Sequence, residues 1–144
     1  MKWLLAKHDE RSTCRVIRKL GGQAMRSSWM PFASSVISIN LRDCPATDQD
    51  LENFSELPSL SLLELGYTSI SDVGVHFLTR HPNLHYLFLW GNRLTDDCID
   101  ALISMPLFML NVEATEISLD GCRRISRALP ECLVCHSRTD ILFR

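Results

Sequence analysis

The sequence predicts an α/β solenoid, with four short parallel strands on a concave face and helices on the convex face. Three observations carry this reading. Pro58, Pro82, Pro106 and Pro130 recur at a constant interval of 24 residues. Each interval opens on an alternating apolar run and continues with apolar residues at helical spacing. Between run and helix stands a hydroxyl followed by an acid: Thr47-Asp48, Ser71-Asp72, Thr95-Asp96 and Ser118-Leu119-Asp120. A fixed period of roughly 20 to 29 residues marks units that cannot bury their own apolar faces and must stack on neighbours.

Residues 1–35 read as a basic N-terminal capping segment. Lys2, Lys7, Arg11, Arg15, Arg18, Lys19 and Arg26 concentrate positive charge there, whereas the whole chain carries a formal charge of -2. Most of these charges fall at helical spacing around Cys14, Val16, Ile17 and Leu20, as on the solvated face of a helix, and they argue against a nucleic-acid or membrane partner. The helix is expected over about 11–21, stopped at Gly21-Gly22. A further strand is expected within 23–29.

Residues 36–134 read as four units. Ile39 and Leu41, Leu63 and Leu65, Leu87 and Leu89, and Leu110 and Val112 each stand two apart, and only a strand puts such pairs on one face. A turn follows each strand, through Cys44, Thr68, Asn92 or Thr115. The hydroxyls then cap helices, and the acids complement the positive helix ends. Leu51, Phe54 and Leu57; Val75 and Leu78; Ile99, Leu102 and Met105; and Cys122, Ile125 and Leu129 are the expected buried helix residues. Each helix is expected to end near its proline, because the residue before proline disfavours the α region. Leu60, Leu84, Phe108 and Cys132 each follow a proline by two residues and read as core positions. The fourth unit comes one residue early. Residues 135–144 read as a tail, with Ile141-Leu142-Phe143 folded back over the last unit as one option.

The pattern Leu60-x-x-Leu63-x-Leu65-x-x-Thr68-x-Ile70, repeated as Leu84-x-x-Leu87-x-Leu89-x-x-Asn92-x-Leu94, resembles the leucine-rich-repeat family. Tyr67-Thr68-Ser69-Ile70-Ser71-Asp72-Val73-Gly74-Val75 is similar to the units of its short bacterial members. The resemblance covers about 36–134. It implies a stacked scaffold, with the turn residues bonding neighbouring backbone, and it names no partner.

If the leucines turn inward, the alternating side chains face the concave surface: Ser38, Asn40 and Arg42; Leu62, Glu64 and Tyr67; Tyr86, Phe88 and Trp90; Met109, Asn111 and Glu113. Tyr86-Leu87-Phe88-Leu89-Trp90 is apolar on both faces, which a sheet with one side in water does not require. An apolar centre of Leu62, Tyr86, Phe88, Trp90 and Met109, rimmed by Glu64, Arg93 and Glu113 and joined by Tyr67, has the composition of a protein interface. Three coverings are open: another protein, a terminus bringing Trp3, Trp29, Met30 or Phe32, or a second copy in a homodimer.

Cys132-Leu133-Val134-Cys135-His136 matches the C-x-x-C-H signature of c-type haem attachment. No methionine or histidine follows that could complete the iron, and Cys132 already fills a packing position. The motif leaves a haem or thiol redox protein as a remote alternative to a protein-binding module, and a structural or self-associating unit as the nearer one. One C-x-x-C lacks the second pair of a structural zinc site. His76, His81 and His85 fall on a helix, at its end and at the next strand. No nucleophile elbow, phosphate loop or zinc-protease motif occurs, so no catalytic residue, metal or cofactor is expected. No apolar run approaches the roughly 20 residues of a membrane span. Met1-Lys2-Trp3-Leu4-Leu5-Ala6 gives way to Lys7 too soon for a secretory signal, and a cytoplasmic location is the expectation.

Overall fold

The computed structural model describes residues 2–27 and 35–136, with side chains from Glu10 onward. The Trp3 side chain, Trp29, Met30, Phe32 and residues 141–143 lie outside the described set. The chain is a mixed α/β protein with a six-stranded, mostly parallel sheet. The order is α1 (Lys2–Lys19), β1 (Gln23–Arg26), β2 (Val36–Asn40), α2 (Asp48–Glu52), β3 (Leu62–Glu64), α3 (Asp72–Leu78), β4 (Tyr86–Phe88), α4 (Ile99–Ile103), β5 (Met109–Asn111), α5 (Leu119–Ala128) and β6 (Leu133–Cys135). The strands lie side by side in sequence order. β1 is antiparallel to β2, and the pairs from β2 to β6 are parallel.

Register explains the core. Ile39, Leu63, Leu87, Leu110 and Val134 pair across β2 to β6, and all five are fully buried against the helices. Leu41, Leu65, Leu89 and Val112 form a second inward row just beyond the strands, also fully buried. Such rows are what a period-two pattern produces when only one face packs.

The turns after β2 to β5 share one backbone device. Asp43, Tyr67, Gly91 and Ala114 all have positive φ, at 57°, 52°, 68° and 51°. Glycine takes this conformation freely, whereas a side chain there costs roughly 1 kcal/mol or more. Asp43, Tyr67 and Gly91 each donate a backbone N–H to the next segment, at Gly66, Trp90 and Glu113. Three of the four expected turn residues, Thr68, Asn92 and Thr115, bond backbone through their side chains. Asn92 is buried, donates to the Leu65 and Leu89 carbonyls, and accepts from the Ile70 N–H. Thr68 and Thr115 donate to the Leu65 and Val112 carbonyls.

The acids that open the helices do more than complement a dipole. Asp48 accepts from both the N–H and the hydroxyl of Ser71; Asp72 does the same for Thr95, and Asp96 for Ser118. Each carboxylate thereby holds the cap residue of the following helix. Thr47 has no such acid before it, and its own Asp50 supplies the carboxylate to its N–H and hydroxyl. Where the carboxylate enters there is little room for a side chain. A Cβ on Gly74 would lie 2.2 Å from Asp48 Oδ1, and one on Gly121 would lie 2.5 Å from Asp96 Oδ1.

Several boundaries differ from the sequence reading. The helix expected over 11–21 spans Lys2–Lys19, and the strand expected within 23–29 is the antiparallel β1. The four expected strands and the further one within 23–29 become six, because β6 joins the far edge. Cys135 ends β6 and His136 is buried beyond it, so the packed region runs past 134. α2 ends at Glu52, well short of Pro58; Phe54 and Leu57 are buried from the irregular stretch that follows. Arg80 ties that stretch down by donating to the Glu52 and Phe54 carbonyls. Phe108 is 51% exposed while Leu107 is 3% exposed. The shortened fourth segment slips the core slot back by one residue, and Leu107 takes it. Leu129 is only half-buried.

Candidate partner-binding face

Two rows flank the inward residues on the side of the sheet away from the helices. One is Ser38, Leu62, Tyr86, Met109 and Leu133; the other is Asn40, Glu64, Phe88, Asn111 and Cys135. Tyr86 is 38% and Tyr67 57% exposed, whereas Leu62, Phe88, Trp90, Met109, Glu64 and Glu113 are half-buried. Asn111, expected on the surface, is buried; its amide accepts from the Glu113 N–H and donates to the Glu113 carboxylate.

Two aromatic groups occupy this face. At the carboxyl ends of the strands, Trp90 lies 6.1 Å from Phe88 and 6.5 Å from Tyr67, centroid to centroid. The indole rests on Gly66, where a Cβ would stand 1.5 Å from Nε1, and Tyr67 rests on Gly91, where a Cβ would stand 2.4 Å from Cδ1. The Arg42 guanidinium covers the indole at 5.1 Å, a cation–π contact. Trp90 Nε1 is buried without a hydrogen-bond partner. Trp90 is thus embedded among its neighbours and organises the surface from within. At the amino ends, Phe108 stacks on His85 at 4.7 Å and meets Tyr86 edge-on at 6.5 Å.

Sequence reasoning missed Phe108, together with the glycine beds of Trp90 and Tyr67. The signal for Phe108 lay in the fourth segment's missing residue. Gly66 and Gly91 gave no comparable signal, because a close approach between neighbouring segments is invisible in either one alone.

Glu64 carries the site's perturbed carboxyl. Burial raises its pKa; the Gly66 N–H it accepts at 3.1 Å and the nearby Arg42 work in the opposite direction, while Asp43 adds to the rise.

The C-x-x-C-H residues differ in setting. Cys132 is buried in the core, Cys135 is half-buried in the outer row, and His136 is buried with Nε2 2.9 Å from the Ile117 carbonyl. Burial and the neighbouring Cys135 push the Cys132 pKa up to about 11; burial and Glu113 raise that of Cys135. Burial thus disfavours both thiolates, the form in which cysteines act as nucleophiles. His76 is exposed, His81 is buried, and His85 is half-buried with Nδ1 2.7 Å from the Pro106 carbonyl. Among the described residues, no group of three or more His, Cys, Asp or Glu is placed to hold a metal ion. No described helix is long and apolar enough to cross a membrane.

No family model and no curated protein sequence matches the chain. Nine chains of solved structures do. One is described as Leiomodin-1 Actin-Binding Site 2; it aligns with a TM-score of 0.54 at 17% identity and covers 69% of each chain. At that identity the likeness is one of fold.

Proposed function

We propose that the chain is a leucine-rich-repeat solenoid of the short bacterial type, serving as a non-enzymatic protein-binding module whose outer sheet face is the recognition surface. The positive-φ turns at 43, 67, 91 and 114 and the carboxylate-to-cap bonds along the helices support the repeat reading. Stacking identical strand–turn–helix units accounts for both. The solved neighbour bears the name of an actin-binding site, and protein binding on a related fold is compatible with this reading.

One observation carries the proposal. Tyr86, Tyr67 and Phe108 are exposed large side chains on a sheet face that also carries Leu62, Phe88, Trp90 and Met109. Interface centres are built of such aromatic anchors with a polar rim, here Glu64, Arg93 and Glu113. Trp90 and Phe88 set the shape, and Tyr67, Tyr86 and Phe108 meet the partner. The surface is preformed on a hydrogen-bonded sheet, which lowers the ordering cost of association. The reading assigns no catalytic residue, metal or cofactor, and it places the protein in the cytoplasm.

Quantitative affinity capture with the wild type and a Tyr86→Ala/Phe108→Ala variant tests it. Truncating central aromatic anchors typically costs ~2 kcal/mol or more, roughly thirtyfold in affinity. A partner retained by the variant with unchanged affinity, in protein whose thermal melt is intact, refutes this face as the site. A wild-type dimer in light scattering that the double variant abolishes assigns the same face to self-association instead.

A further inference from the structure

The sheet has a second surface, at the edge formed by β1. The Ile37 carbonyl and Leu41 N–H bond toward β3. Because alternate residues of a strand address opposite neighbours, Ser38 and Asn40 address β1, where they pair with Met25 and Gln23. Ala24 therefore turns its N–H and carbonyl outward, and no described strand pairs with β1 on that side. A groove of about 410 Å³ runs along this edge, lined by Cys14, Ile17, Arg18, Gly22, Gln23, Ala24 and Arg26. Its floor includes the buried Ile17, and α1 forms the opposite wall.

The charge of that wall selects the occupant. Arg11, Arg15 and Arg18 are exposed on α1, and none of the ion pairs among the described residues engages them. Arg26, on the strand side, already holds the Glu10 carboxylate at 3.2 Å, so the rim has one carboxylate in place. We infer that the groove between α1 and β1 takes an extended acidic peptide segment of another protein as an added strand. Ala24 supplies the main-chain bonds, and Arg18, with Arg11 behind it, faces the acidic side chains. Strand addition draws affinity from main-chain hydrogen bonds and specificity from alternate side chains. A polybasic helix alone would equally suit nucleic acid, but the outward backbone edge of Ala24 has no use there.

The probe is a fluorescein-labelled peptide of alternating Glu and Val, titrated by anisotropy into the full chain. A Lys/Val counterpart and a labelled oligothymidylate are run beside it. Saturable binding of the Glu/Val peptide alone is expected. Arg18→Glu and Ala24→Pro should each weaken it about tenfold or more, the first through charge and the second through the lost outward N–H. Ala24 N–H makes no sheet bond, so proline is tolerated there as at other edges; if Ala24→Pro nevertheless fails to fold, the exposed Arg18→Glu carries the test. Trp90→Ala, on the other surface, should leave peptide binding unchanged, which separates this proposal from the preceding one. Absence of saturable binding, equal binding of the Lys/Val peptide, tighter binding of the oligonucleotide, or indifference to Arg18→Glu overturns it.

Discussion

Gly74→Ala puts the carboxylate-to-cap ladder to a test of sign. In most helices this substitution stabilises by up to about 1 kcal/mol, because alanine loses less chain entropy. Here the new Cβ would stand 2.2 Å from Asp48 Oδ1 and 2.8 Å from Ile70 Cγ2. Asp48 Oδ1 accepts the Ser71 N–H at 2.8 Å, and Oδ2 accepts the Ser71 hydroxyl. Accommodating the methyl requires the carboxylate to withdraw, and losing a hydrogen bond to a charged group costs roughly 1.5–3 kcal/mol. Gly74→Ala should therefore destabilise by about 1–2 kcal/mol net. With Asp48→Ala already in place only the approach to Ile70 Cγ2 remains, and the same substitution should become close to neutral. Urea unfolding of wild type, both single variants and the double variant gives the cycle. The expected coupling is about 2 kcal/mol. If Gly74→Ala stabilises equally in both backgrounds, with coupling below about 0.5 kcal/mol, the carboxylate does not occupy the space assigned to it.

Three further outcomes are expected. His81 is buried, its Nδ1 accepts the Leu57 N–H at 3.2 Å, and burial followed by Arg80 lowers its pKa from 6.5 to about 4. A lowered folded pKa means that the unfolded chain binds the proton first. His81 thus contributes its full stability above pH 6.5 and loses about 3 kcal/mol as pH falls from 6.5 to about 4. His81→Gln, which keeps an acceptor for Leu57, should flatten that part of the stability–pH curve; identical curves would exclude His81 as the titrating group. Gly66→Ala should lift the Trp90 indole from its bed and cost about 1–3 kcal/mol by overpacking, read as red-shifted emission in protein whose other two tryptophans are replaced by phenylalanine. Asn92→Ala strips bonds from the Ile70 N–H and the Leu89 carbonyl, both in buried residues, whereas the Leu65 carbonyl keeps the Thr68 hydroxyl. A loss of roughly 2–4 kcal/mol is expected from the two orphaned groups, and a thermal melt shifted by less than a few degrees would contradict it.

The inward rows were legible residue by residue. Leu63 with Leu65 and Leu87 with Leu89 announce strands because period two is a property of the local backbone, and any sheet with one packed face must bury that set. Ser71, Thr95 and Ser118 announce helix starts for a similar reason, since a cap satisfies N–H groups two or three residues away. Indeed all three side chains accept from their own helix, at Val73, Asp97 and Gly121. Leu107 and Phe108 show the limit of this reading. The proline interval pointed to Phe108 as core, but register across β4 and β5 gave the slot to Leu107.

By itself, then, the sequence determined the inward rows of β2 to β5 and the residues that start the helices, because those choices are made over a few bonds of one chain. Tertiary structure alone decided that Asp48 holds Ser71, that Trp90 lies on Gly66 beneath Arg42, that no described strand pairs with the outer side of β1, and that Cys132 and His136 are buried while Cys135 lies in the outer row. Each of these depends on the distance between neighbouring segments, set by the packing of all their side chains at once, and no single segment contains that information.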